Sequence, residues 1–203
     1  AHVSGGGKMC TTSALSIGDY SEVFRELSGK YDAVIHVNIS SGFSCCHQNA
    51  CLAAEDFENV FVVDTRNLST GSGLLVLEAA RMVEEGMEAK AIAEELRSLA
   101  LKVDASFVID DLTYLHKGGR CSAAAKFGAN LLKLKPCIQV REGAMDATKK
   151  YRGEYKACVI QYVKDKLADI DKYALMRLDN LVKVCREAYD KFEYHIVFHA
   201  LHN

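Results

Sequence analysis

Residues 33–64, AVIHVNISSGFSCCHQNACLAAEDFENVFVVD, decide the fold. AVIHVNIS (33–40) and VFVVD (60–64) are continuous apolar runs of strand length, the pattern of strands buried on both faces. HQNACLAAEDF between them has helical spacing, so the stretch reads strand, loop, helix, strand. A crossover of that kind implies parallel pairing and right-handed connection.

Working outward, SFVID (106–110) is a third run of the same type and is expected to extend the parallel sheet. EAKAIAEELRSLALKV (88–103) brings Ala89, Ile92, Leu96, Leu99 and Val103 onto one helical stripe, with Glu94, Glu95 and Arg97 outside it. Upstream, a helix is expected from about Gly18. Downstream the grammar changes. CIQV (137–140) leads into REGAMDATKKYR, a glycine-containing hairpin signal, and then into EYKACVIQYVKDKL, which gathers Tyr155, Val159, Tyr162, Val163 and Leu167 near one helical face. YALMRL (173–178), DNLVKVCREAYDKF and YHIVFH (194–199) read as a last strand, helix, strand unit. The expectation is a two-lobed α/β chain, with a parallel-sheet lobe over 10–112 and a mixed α/β lobe over 113–203. Residues 1–9, with the Gly5 to Gly7 run, read as a flexible lead or cloning remnant, and both ends look cut.

Composition narrows the function. The chain has 203 residues, 49% of them apolar, enough for a sizeable core. Its 25 basic and 27 acidic residues are interspersed, which argues against nucleic acid as a partner. Eight cysteines contain no C-x-x-C pair and mostly fall in apolar periodic segments, where they read as reduced core thiols of a cytoplasmic protein. No apolar run approaches the roughly 18 to 20 residues of a membrane span, and AHVSGGGK has no signal-peptide core.

The loop inside the opening stretch leaves three chemistries open. Ser40, Ser41, Gly42, Phe43 and Ser44 lie between a strand end and a helix start, where free N–H groups, the helix dipole and serine hydroxyls suit a carboxylate or phosphate. A plain helix cap by Ser41 or Ser44 is the simpler alternative. Gly42-Phe43-Ser44 also begins like a hydrolase nucleophile elbow, with Ser44 as nucleophile, but Cys46 stands where its second glycine belongs. Cys45, Cys46 and His47 offer metal-ligand chemistry, although neighbours on one helical turn diverge by about 100° and would need distant partners. Elsewhere, Thr12-Ser13 precedes a helix as a cap would, and Thr70-Gly71-Ser72-Gly73 precedes another as a cap or phosphate loop. Asp64 and Asp110 end strands, and His116-Lys117-Gly118-Gly119-Arg120 forms a cationic turn expected to lead into a helix.

Seven of these pieces, in order, resemble the DegV family of bacterial fatty-acid-binding proteins, which includes the lipid-carrying subunits of fatty acid kinase. Thr12-Ser13 is similar to the family's TS loop, Ser40 to Ser44 to the start of its S-S-x-L-S-G-T-Y turn, and Val63-Asp64-Thr65 to its strand end. Ser69 to Gly73 fits S-x-G-x-G, Leu112 to Arg120 fits L-x-Y-L-x-K-G-G-R, Leu131 to Pro136 fits L-L-x-I-K-P, and Arg152 to Ala157 fits R-G-x-x-K-A. The resemblance runs from about Thr12 to Ala157, and departs where Cys45-Cys46-His47 replace G-T-Y. It implies a non-catalytic carrier with a long-chain fatty acid lodged between two lobes and no other cofactor or metal. The carboxylate would be held by Thr12, Ser13, Ser41 and Ser44. A fatty acid kinase partner would meet Arg120, Arg152 and Lys156.

Overall fold

The computed structural model describes residues 5–8, 11–119 and 134–168. In chain order they form α1 (Ile17–Ser28), β1 (Val34–Asn38), α2 (Cys46–Ala54), β2 (Val60–Asp64), α3 (Ser69–Glu84), α4 (Ala89–Ala100), β3 (Ala105–Val108), α5 (Thr113–Lys117), β4 (Leu134–Arg141), β5 (Ala144–Arg152) and α6 (Tyr155–Ala168). The strand, helix and strand units expected beyond residue 169 lie outside the described residues.

β1 and β2 pair in parallel, from Val34 opposite Val60 to Asn38 opposite Asp64. Alternation along the strands sends successive side chains to opposite faces, so each face collects its own helices. Val60 and Val62 pack with Tyr20, Phe24, Ala50 and Ala53 of α1 and α2. Val63 packs with Leu75 and Met82 of α3 and with Ile92, Ala93, Leu96 and Ala100 of α4. Ile92 and Leu96, at the centre of the expected stripe, have no accessible surface; truncating either to Ala costs about 2–5 kcal/mol. Arg97, on the outer side of that helix, still reaches the Val62 carbonyl at 3.0 Å.

The run at 106–110 does not extend the parallel sheet. β3 instead pairs antiparallel with β4, which pairs antiparallel with β5. A run buried on both faces has no polar alternation to mark its direction, and its partner strand lies far downstream. The hairpin expected in REGAMDATKKYR is present: Glu142 and Gly143 form a two-residue turn with φ of 51° and 82°. Two positive φ values match the twist of the flanking strands. α6 covers this sheet, with Cys158, Tyr155 and Tyr162 packed on Val108, Cys137 and Tyr151. The Tyr155 and Tyr162 hydroxyls donate to the Val108 and Ser106 carbonyls at 3.1 and 2.9 Å.

One loop expected to precede a helix takes another form. Thr70-Gly71-Ser72-Gly73 lies inside the first turns of α3. There Gly71 is buried against Asn67, whose side chain would collide with any Cβ, and the Ser72 hydroxyl bonds Thr65 at 2.9 Å. These contacts turn a glycine-rich loop into a helix start. In the cationic turn, His116 and Lys117 end α5, with the Gly118 N–H on the Tyr114 carbonyl and Gly119 at φ 70°; the helix expected after Arg120 lies outside the described residues.

The sheets meet at the serine loop. Phe43 leaves the parallel side and packs with Leu112, Ile138, Val140 and Met145 of the antiparallel side. Beside it the Ser40 hydroxyl, wholly buried, donates to the Gly143 carbonyl at 2.7 Å.

Candidate head-group site

The chain leaves β1 at Asn38, and the Ser40 N–H bonds the Asn67 carbonyl, which fixes the loop over the end of β2. Residues 41–45 then turn into α2, whose first N–H groups have no partner within the helix. Ser44 satisfies one of them: its hydroxyl oxygen accepts from the Cys46 N–H at 3.2 Å and its hydroxyl donates to the Cys46 thiol at 3.1 Å. That donation is the main reason the Cys46 thiol is held below the usual cysteine range. Cap and anion donor are compatible roles, since the hydroxyl hydrogen can turn from sulfur to a ligand oxygen while the oxygen keeps its N–H.

Thr12 and Ser13 prove not to be the cap of α1. Ser16 is, through a capping box in which the Asp19 N–H donates to the Ser16 hydroxyl and the Ser16 N–H donates to Asp19 at 2.8 Å. The Thr12 and Ser13 side chains are exposed, with no hydrogen bond among the described residues. Their segment is tethered to α2, because the Asn49 side-chain amide donates to the Leu15 carbonyl at 2.6 Å. Asn49 carried no sequence signal; only its position on the face of α2 toward α1 reveals it.

Ser41 is differently disposed. Its hydroxyl donates to Asp64 at 2.6 Å, and the same carboxylate accepts the Arg66 N–H at 2.8 Å. The strand-end aspartate is thus a loop organiser that holds both the hydroxyl hydrogen and the backbone N–H of Ser41. Arg152 ends β5 and Lys156 lies in the first turn of α6, both exposed; Arg120 lies outside the described residues.

The other chemistries at this loop find little geometry. Cys45 occupies the α2 cap position, Cys46 faces Ser44, and the His47 ring meets the Cys51 thiol at 3.5 Å, so the three turn to different partners. No group of three metal-ligand side chains occurs among the described residues. The same residues include no histidine bonded to Ser44 that would serve a nucleophile as base. Below the loop, His36 stacks edge-on with Tyr20 and Phe24, and its Nε2 lies 2.8 Å from the Asn38 amide. Burial, then the neighbouring His47, holds His36 below the usual imidazole range.

Comparison with known proteins agrees with this architecture. The family model described as "Uncharacterised protein, DegV family" matches residues 1–196. A DegV domain-containing protein of Caldanaerobacter subterraneus subsp. tengcongensis is 34% identical over 163 residues, 78% of this chain and 58% of the relative. The solved structure of a DegV family protein from Thermus thermophilus, described by its fatty acid binding, is 36% identical with a TM-score of 0.71, covering 80% of this chain and 59% of that one. A stearic acid-binding protein from Eubacterium ventriosum is 27% identical with a TM-score of 0.67, covering 78% and 57%. The chain therefore spans a little under three fifths of the length of these relatives.

Proposed function

The chain belongs to the DegV family, and from that membership we propose that it binds a long-chain fatty acid, holds the carboxylate with Thr12, Ser13, Ser41 and Ser44, and presents it to a kinase partner in the cytoplasm. The observation that carries the reading is the tether between the exposed Thr12–Ser13 segment and the start of α2, where the Ser44 hydroxyl donates to the Cys46 thiol, a weak acceptor that a ligand carboxylate can replace. Neutral hydroxyls at a helix N-terminus stabilise an anion without neutralising it, which keeps a carboxylate nucleophilic toward a phosphoryl donor. Ser41 joins them by exchanging its bond to Asp64 for one to the ligand. The acyl chain needs an apolar slot, stabilising by about 0.8 kcal/mol per buried CH₂. Arg152 and Lys156, with Arg120, form the cationic set that meets the partner.

The test is mass spectrometry of an organic extract of purified protein, repeated after loading with excess palmitate and stearate and washing. About one fatty acid per chain is expected. Thr12→Ala and Ser44→Ala should each weaken retention by about 1–3 kcal/mol, the loss of a charge-assisted hydrogen bond. An empty extract after loading refutes lipid binding, and retention unchanged in both variants refutes the head-group assignment.

A further inference from the structure

A cavity of about 340 Å³ opens at the seam of the two sheets, where the loop after β2, the segment after α4 and the β4–β5 hairpin come together. None of Thr12, Ser13, Ser41 or Ser44 lines it, so it is separate from the head-group site and does not depend on the lipid reading.

Its charge is unbalanced. Arg66, Lys102 and Arg141 line it, all exposed, and among the described residues none of their side chains makes an ion pair or hydrogen bond. Of the two carboxylates on the wall, Asp104 is already engaged, accepting from the Gln139 amide at 2.6 Å and from Lys166 at 3.2 Å. Among the described residues of the lining, Glu142 alone is left to oppose three cations. The whole chain carries a net charge of −2, so the excess is local and not a sample of a generally basic surface. The end of α4 points its carbonyls this way, which would repel an anion, but the Ser98 and Leu99 carbonyls already accept the Leu101 and Lys102 N–H groups.

The three cations come from separate segments held in place by unrelated contacts. Arg66 has φ of 51° and its N–H is fixed on Asp64. Arg141 pairs with Ala144 across the hairpin turn, and Lys102 follows the last turn of α4. Three cations carried by braced segments thus line one opening, and arginine presents a planar fork matched to phosphate oxygens. The volume is at the low end of small-molecule sites, about 300–1,000 Å³, which fits a compact anion and excludes a polymer.

We propose that this cavity binds the phosphate group of a small molecule, either the free anion or a phosphate monoester. The experiment is calorimetric titration of the full chain at constant ionic strength with inorganic phosphate, pyrophosphate and phenyl phosphate. Saturable binding of one equivalent of at least one probe is expected; tighter inorganic phosphate identifies the free anion, and tighter phenyl phosphate identifies an ester. The pair Lys102→Gln and Arg141→Gln should weaken binding by about tenfold or more. The charge-matched pair Lys30→Gln and Lys90→Gln, neither of which lines the cavity, should leave it unchanged. Circular dichroism confirms that each variant is folded, and the single Lys102→Gln and Arg141→Gln variants replace the double one if it is not. No saturable binding of any probe, or an equal loss in the charge-matched pair, overturns the proposal.

Discussion

Gly143→Ala tests whether the hairpin tip braces the serine loop. Gly143 has φ of 82°, and a Cβ there would sit 2.7 Å from the Ser40 hydroxyl oxygen. That hydroxyl is buried, donates to the Gly143 carbonyl at 2.7 Å and accepts the Gly42 N–H at 3.1 Å. Real Cβ atoms do not approach so closely, so Ser40 has to rotate or the hairpin has to lift. The left-handed backbone costs about 1–2 kcal/mol for a residue with a Cβ. Losing the partner of a buried hydroxyl costs about 1–3 kcal/mol more. The expected destabilisation is therefore about 2–5 kcal/mol, a large share of the roughly 5–15 kcal/mol of a typical domain. Urea unfolding followed by circular dichroism measures it. Gly73→Ala is the control, since a Cβ at that position in α3 meets nothing within 4 Å and should stabilise by about 0.5–1 kcal/mol. The decisive arm is a double-mutant cycle. In a Ser40→Ala background the obstructing oxygen is gone, and Gly143→Ala should cost only the backbone part, about 1–2 kcal/mol. Equal cost with and without the Ser40 hydroxyl would refute the reasoning.

Asp64→Asn removes a negative charge 2.6 Å from the Ser41 hydroxyl, so fatty acid affinity should rise by several-fold in a fluorescent-lipid displacement assay, and a fall would mean that Asp64 shapes the loop more than it opposes the ligand. Ser16→Ala breaks the capping box of α1 and should cost about 1 kcal/mol of unfolding free energy, read by urea titration. His36 is held below its ordinary pKa, so the unfolded chain binds the extra proton first: stability should be full above about pH 6.5 and decline as pH falls below it, less steeply in His36→Leu, as read by melting temperature against pH. Arg152→Ala should leave lipid retention intact while slowing transfer to a kinase partner, and loss of retention itself would overturn that division of roles.

How much was legible before the fold was known differs element by element. β1, α2, β2 and α4 could be read directly, because an apolar run bounded by turn residues and a 3.6-residue stripe are local patterns with one favourable burial each. The β4–β5 hairpin was legible for a similar reason, since only a glycine-containing turn tolerates the positive φ that the strand twist requires. The serine loop was legible as a place, from the strand before it and the helix after it. What each hydroxyl does there was not. Ser40, Ser41 and Ser44 are near neighbours of one type, yet one is buried on the Gly143 carbonyl, one donates to Asp64 and one accepts the Cys46 N–H at the start of α2. Those assignments depend on partners 103 and 23 residues away for the first two, which no local pattern encodes. The same holds for β3, whose run is compatible with either pairing direction until β4 arrives. The cation-lined cavity lies still further from the sequence, because its three cations belong to unrelated segments and come together only where the sheets meet. Sequence determined which segments bury themselves and where the chain turns, since periodicity and turn chemistry act over a few residues. Tertiary structure decided which polar groups face each other, because a hydrogen bond or a charge excess is a relation between segments that only packing brings within reach.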